Sequence, residues 1–527
     1  MTTIAAVPPV ADARAWRVTV DRLLPFLAGT VVFAVAALVI DGLPVGVVRD
    51  DAMYVVLAKS LATGHGYRWL HIPGLPPATH FPPGYPAVLA VLWWLFPSFP
   101  SNLIVFKLAN ALFSAVAAVG VSRFGRLRLG MTEWGAQGFG LAALLGAPTL
   151  ALGALVMSEP LFLAMLLPAL ILAERIVDEP TARTREVVSL GLLAGAMTLV
   201  RTHGIAFVAA GIVMLCVRRR FRDAAFFGIA ALVLLVPWEL WVAAHAGGLP
   251  AAMRGNYESY AGWLVAGVRS EGVALLAQTA LRTSGELALM FQFLVAPAFP
   301  AAVRLAALLV LAALSAVGAR IVWRRAPVSA AFLAIHTAIV VLWPFTPARF
   351  VWGVWPLVLL LPVAGVRELL RWQPSAPHWR ATRIASLGAA TMLACGYATY
   401  NARGYQSQSL PTRRFASGIR PLLTWVAQHT RRDALLASES EGAVYLYTGR
   451  PTVPLGTFTV TDYLKPRTLS DNAAVVRAMI GRYRPEAVVV STGFLRAAVR
   501  ELALSQPPLL TVVDTFPGGI VLTPTSR

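Results

Sequence analysis

Two adjacent carboxylates stand in the run Val48-Arg49-Asp50-Asp51-Ala52-Met53-Tyr54, shortly beyond a long apolar stretch at 23–40. Carboxylates so close to hydrocarbon are costly unless they face a cavity, an ion or a partner. Neighbouring helix positions point in different directions, so Asp50 and Asp51 are expected to divide the work. One would take a proton from a hydroxyl as general base, while the other orients it or holds a cation. The plain alternative is that Arg49 pairs with Asp51 at headgroup level and no chemistry follows.

Further polar residues recur at the ends of apolar runs. The loop at 42–101 carries His65, His71 and His80, then Pro82-Pro83-Gly84-Tyr85-Pro86, a turn-fixing string. The histidine spacing fits no zinc pattern, and His80 is better read as a contact to phosphate. Glu159 stands in Met157-Ser158-Glu159-Pro160. That run also reads as a helix start, with Ser158 as N-cap and Pro160 just inside. Arg201 and His203 lie in Val200-Arg201-Thr202-His203-Gly204, and Arg349 in Pro347-Ala348-Arg349-Phe350. Guanidinium groups suit phosphate oxygens through paired donors; either arginine could equally be a snorkelling anchor.

The elements that must position these residues are membrane spans. Of 527 residues, 57% are hydrophobic and 13% charged, about half the charged share of a soluble chain. The formal charge of +20 is explained by basic loops on the cytoplasmic side rather than by nucleic acid. Cys216 and Cys395 both lie in apolar runs and support no disulfide framework. The first run follows Arg14, Arg17 and Arg22 and contains Ala34-Val35-Ala36, so it resembles a signal peptide. Its length favours an uncleaved span.

Apolar runs predict eleven spans, at 23–41, 102–122, 133–153, 158–174, 187–200, 204–217, 224–244, 302–322, 328–345, 350–366 and 384–401. With residues 1–22 cytoplasmic, Arg123, Arg126, Arg128, Arg175, Arg183, Arg185 and the 218–222 arginines fall inside. So do Arg324, Arg325, Arg367, Arg371, Arg380 and Arg383, as the positive-inside rule requires. The run 86–96 is too short to cross and reads as an interfacial or re-entrant helix. Segment 245–301 is amphipathic and falls outside. Residues 402–527 alternate short strands, at 433–437, 487–491 and 509–513, with helices at 475–482 and 494–504. They predict a small extracytoplasmic α/β domain. The expected fold is thus an α-helical polytopic membrane protein of about eleven transmembrane helices, interfacial helices and that domain.

In order, Arg49-Asp50-Asp51-Ala52-Met53-Tyr54, His80-Phe81-Pro82-Pro83-Gly84-Tyr85-Pro86, Ser158-Glu159-Pro160, Arg201-Thr202-His203-Gly204 and Arg349-Phe350 resemble the GT-C superfamily of polyprenyl-phosphate-dependent glycosyltransferases. The likeness is to the branch of protein O-mannosyltransferases and the aminoarabinose transferase of lipid A. It implies inverting sugar transfer, hexosyl or pentosyl, at the extracytoplasmic face. An aspartate of the first loop, mapped to Asp50 with Asp51 adjacent, would be the base, and Glu159 the second acidic position. Arg201 and Arg349 would hold the donor phosphate, with Tyr54, His80 and His203 as further contacts. The resemblance also implies a polyprenyl-phosphate sugar donor and a glycan, lipid or protein acceptor. No cofactor is implied beyond a divalent cation, which Asp50, Asp51 and Glu159 would hold. The run from Glu441 to Arg450 is similar to the small outer domain of some relatives. The arginine-rich, lysine-poor usage suggests a GC-rich bacterial genome, and the expected location is the bacterial plasma membrane.

A transporter or flippase is the competing reading. It would place polar groups at mid-membrane on broken helices, often with internal repeats. Here the polar residues stand at outer ends, and no repeat is evident. A non-catalytic scaffold would leave the clustered carboxylates and arginines without purpose.

Overall fold

The structure, a computed structural model, describes residues 23–525 apart from 41, 43, 47, 182, 372–378 and 492–494. The expected cytoplasmic segment 1–22 lies outside the described residues. The first half comprises α1 (Leu27–Val39), α2 (Asp50–Ala62), α3 (Gly84–Leu95), α4 (Leu103–Leu129), α5 (Glu133–Leu144) and α6 (Ala147–Ala154). There follow α7 (Glu159–Asp178), α8 (Thr184–Val200), α9 (Ile205–Val217), α10 (Phe221–His245), α11 (Arg254–Tyr257) and α12 (Tyr260–Glu271). Next come α13 (Ala274–Val295), α14 (Ala301–Arg325), α15 (Pro327–Val341), α16 (Ala348–Trp352), α17 (Trp355–Arg371) and α18 (Trp379–His429).

Four described helices are long and apolar enough to cross a bilayer: α4, α7, α10 and α14. The most apolar windows of α10 and α14 are each only 22% buried within the protein, so Leu232, Val233, Leu305 and Leu309 are left for lipid. Helices α4 and α7 are 56% and 72% buried there and form the centre. Helices α14 and α17 approach backbone to backbone at Gly318 and Gly365, where a methyl group would strike the facing carbonyl. Small residues permit such approach between membrane helices.

The stretch expected as one span at 133–153 is two helices, α5 and α6, bent by 68°. Pro148 starts the second. The groups freed by the break are satisfied locally, as a membrane requires. Ala147 N–H donates to Asn401 Oδ1, and the Thr149 hydroxyl to the carbonyls of Leu144 and Gly146. Helices α8 and α17 have 17 residues each, short of the 20 or so that a perpendicular span needs. The run expected at 86–96 is α3, whose 12 residues rise roughly 18 Å. The last apolar run lies inside α18, a single helix of 51 residues. The change to polar composition at 402 therefore falls within a helix. Polarity marks where a bilayer stops, and a helix, with its own backbone bonds, continues through it.

Beyond α18 a five-stranded sheet forms, with β1 (Leu436–Ser438), β2 (Thr452–Pro454), β3 (Ala487–Val490), β4 (Leu510–Phe516) and β5 (Gly519–Pro524). Its order is β2-β1-β3-β5-β4. β1 is parallel to β2 and β3, while β5 is antiparallel to β3 and β4. Helices α19 (Glu441–Thr448), α20 (Val460–Leu464), α21 (Leu469–Tyr483) and α22 (Arg496–Leu504) connect the strands. Strands β2 and β5 and helix α19 were not expected from the sequence.

Candidate active site

Helix α2 opens with both aspartates in its first turn, where the helix dipole favours negative charge. The residue before it, Arg49, has φ of +56°, a conformation costly for a side chain of this size. From this turn the two carboxylates diverge. Asp51 is 1% exposed, and its Oδ1 accepts the Gly46 and Ala52 N–H groups at 3.0 and 2.9 Å. Burial pushes its pKa up to about 6, opposed by those backbone donors. Asp50 instead faces a cavity of about 250 Å³, with Arg349 Nη1 2.5 Å from its Oδ2.

Arg349 ties Asp50 to the second acidic position. Its Nε donates to Glu159 Oε1 at 2.5 Å, and Arg201 Nη1 reaches the same oxygen at 2.7 Å. Glu159 is 1% exposed; such a charge persists in a low-dielectric setting only when paired. Arg201 Nη1 also donates to Ser158 Oγ at 3.0 Å, which shares a 3.2 Å hydrogen bond with the Tyr54 hydroxyl. Ser158 therefore makes no side-chain cap bond to its own helix; its hydroxyl joins the buried polar network instead. The turn before α3 is pressed against the end of α8, since a methyl on Gly84 would stand 2.7 Å from the Leu199 carbonyl carbon. That contact brings the Pro82 turn and Arg201 to one cavity wall.

Aromatic side chains supply most of the remaining lining, including Trp69, Tyr257, Tyr260, Trp343, Phe345 and Phe350. His80 lines it as well; its Nδ1–H donates to the Glu258 carbonyl at 2.6 Å, leaving Nε2 as an acceptor in the neutral ring. Burial pushes the His80 pKa down to about 4. The His203 ring lies 4.6 Å from that of Phe350, tilted by 38°, and its Nε2 has no partner among the described residues. Of the expected site residues, Asp50, Tyr54, His80, Arg201, His203 and Arg349 share this cavity. Glu159 stands behind it on the arginines, and Asp51 is turned away.

The cation site expected from Asp50, Asp51 and Glu159 is not formed. Among the described residues no three metal-ligating side chains gather. Asp51 is spent on backbone amides, and arginine occupies the other two. The other two loop histidines also go elsewhere: His65 Nδ1 meets Thr63 Oγ1 at 2.8 Å, and His71 Nε2–H donates to the Tyr257 hydroxyl at 2.9 Å.

Arg49 does not pair with Asp51. Its Nη2 lies 2.7 Å from Glu441 Oε1, which also receives the Tyr257 hydroxyl at 2.5 Å. Neither Tyr257 nor Glu441 was singled out from sequence as a site residue. The signal available was the polar, aromatic string Tyr257-Glu258-Ser259-Tyr260 inside the outer amphipathic segment.

No protein-family model matches the chain, and no curated protein matches it in sequence. Among solved structures it is similar to ArnT from Cupriavidus metallidurans bound to undecaprenyl phosphate. The TM-score is 0.54 at 16% identity, over 98% of this chain and 99% of that one. Against ArnT from the same organism in the apo state the TM-score is 0.52 at 14% identity, covering 97% and 98%. The chain thus has a GT-C-like fold over nearly its whole length, as its ordered motifs led us to expect.

Proposed function

We propose that this chain is a multi-pass membrane glycosyltransferase. It would move a sugar from a polyprenyl-phosphate-linked donor to an acceptor hydroxyl at the extracytoplasmic face, with inversion. The observation that carries the reading is the juxtaposition at one cavity of Asp50 with Arg49, Arg201 and Arg349. The fold shared with a protein solved with undecaprenyl phosphate supports the lipid class of the donor. In this reading residues 23–401 are the transmembrane part with eleven crossings, and 402–527 are the outer part. The membrane is a bacterial plasma membrane.

The chemistry follows from the residue types. Asp50 takes the acceptor's hydroxyl proton. The oxygen attacks the anomeric carbon from the face opposite the phosphate, the bond from that carbon to the phosphate oxygen breaks, and polyprenyl phosphate leaves with the electron pair. Arginine side chains stabilise the charge appearing on the leaving phosphate. Arg349 holds Asp50 now; an incoming phosphate competes for that guanidinium and frees the carboxylate. His80, neutral with an acceptor nitrogen facing the cavity, suits a sugar hydroxyl better than a phosphate oxygen. Tyr54 and His203 complete the polar wall.

The test is sugar transfer by purified protein from a panel of polyprenyl-phosphate sugars, with Asp50→Asn and Asp51→Asn beside wild type. Asp50→Asn is expected to lower turnover by about 10³-fold while still binding donor, and Asp51→Asn to stay within about tenfold of wild type. Equal turnover in Asp50→Asn and wild type would remove Asp50 as base. Donor movement across proteoliposomes without any transfer would replace the transferase reading by transport.

A further inference from the structure

Strand β1 lies between β2 and β3, so the chain leaves it to one side and returns on the other. In open α/β sheets the crevice beyond such a point, at the carboxyl ends of the strands, is where ligands sit. Here the protein itself fills that place. Helix α19, which follows β1, is seated on α2: a methyl on Gly442 would stand 3.3 Å from Met53 Sδ and 3.4 Å from Ala52 Cβ. Two further bonds secure the joint. Val45 N–H donates to the Tyr447 hydroxyl at 3.1 Å, and Thr452 N–H to the His71 carbonyl at 2.7 Å.

At the tip of α19, Glu441 is 1% exposed and accepts both Arg49 and Tyr257 on Oε1. Tyr257 is held in turn by His71. Arg49 and Tyr257 line the cavity, whereas Glu441 stands behind them. Arg49 is also the residue with φ of +56°, immediately before Asp50. Backbone strain of this kind persists where the surroundings over-determine it. Glu441 is the carboxylate on which the Arg49 side chain closes.

We propose that Glu441 is a positioning residue of the cavity. From the C-terminal unit it fixes Arg49 and Tyr257, and through the turn at Arg49 it sets the direction in which Asp50 enters. The proposal rests on the transferase reading of that cavity. The charge-assisted bond from Arg49 Nη2 to the buried Glu441 oxygen, which the Tyr257 hydroxyl also reaches, keeps the guanidinium at the cavity wall where it can meet an anionic donor. The α/β unit then supports the catalytic wall from behind rather than being an appendage.

The experiment uses the full-length protein as Glu441→Ala, Glu441→Gln, Arg49→Met and the double variant Arg49→Met/Glu441→Ala. It reads kcat and KM for a polyprenyl-phosphate sugar, together with hydrogen exchange across 46–57. Glu441→Ala is expected to lower kcat about 100-fold with KM changed less, the size typical of removing the buried partner of a hydrogen-bonded charge pair. Glu441→Gln keeps an acceptor for both donors and is expected to recover about tenfold of that loss. In the Arg49→Met background, Glu441→Ala costs less than about tenfold, because the guanidinium partner is gone and only the Tyr257 hydroxyl bond remains to be lost. Exchange at 49–53 rises in Glu441→Ala. Wild-type kcat in Glu441→Ala, or fully additive losses in the double variant, overturns the proposal. If wild type transfers no sugar from any donor, the transferase reading fails by itself. Exchange then decides for Glu441, and unchanged protection at 49–53 overturns it.

Discussion

At the residue scale the paired aspartates differ in what surrounds them. Asp51 is raised to about 6 by burial, above the ordinary carboxylate value near 4. A carboxylate raised on folding contributes stability that is full below the ordinary value and is lost as pH rises through about 6. Asp51→Asn keeps an Oδ1 acceptor for the Gly46 and Ala52 amides and carries no charge to bury. It should therefore gain on wild type between pH 4 and 7, by up to about 3 kcal/mol, read as a rising difference in thermal midpoint. A flat difference would mean that Asp51 is not the buried acid. Glu159 is paired instead, with two arginines closing on one oxygen. Glu159→Ala leaves both guanidinium groups short of a partner and should cost about 3–5 kcal/mol, with donor turnover lost. The divergence of Asp50 and Asp51 was foreseeable from their adjacency, but which one faces the cavity depends on the amides of Gly46 and Ala52.

At the element scale the site depends on where helices begin and end. Helix α3 starts at Gly84, where only hydrogen fits against the Leu199 carbonyl. Gly84→Ala should push α3 from α8 and cost about 1–3 kcal/mol, seen as a lower thermal midpoint and weaker donor binding. In the α/β unit, α21 carries a capping box between Thr468 and Asp471. Thr468→Ala should cost about 1 kcal/mol and leave turnover unchanged, which separates stability from the site. Most helices were legible as apolar runs, including α4, α7, α10 and α14. The break between α5 and α6 was not, because Pro148 suits a helix start as well as a kink. Strand β2 has only three residues, below what alternation can show.

At the scale of the whole molecule, the proposed eleven-span arrangement rests on the arginine distribution, since it would put the basic loop clusters between the proposed spans on one side. In a variant with Cys216 and Cys395 replaced, His65→Cys should react with an impermeant thiol reagent from outside. Arg324→Cys should react only after the membrane is opened. The reverse pattern, or equal labelling, would overturn the orientation. Helices α10 and α14 present their apolar faces outward, so delipidation is expected to lower the thermal midpoint well before it affects the α/β unit.

Composition and periodicity by themselves determined that the chain lives in a bilayer. The order of its polar motifs determined the fold to expect, because apolar runs and charge asymmetry are local properties that a bilayer reads directly. The tertiary structure decided which charges meet. Arg349 joins Asp50 to Glu159 across separations of 299 and 190 residues, and Arg49 meets Glu441 across 392. Those pairings depend on how helices and sheet close on one another, and a buried carboxylate accepts whichever cation the closure brings within reach.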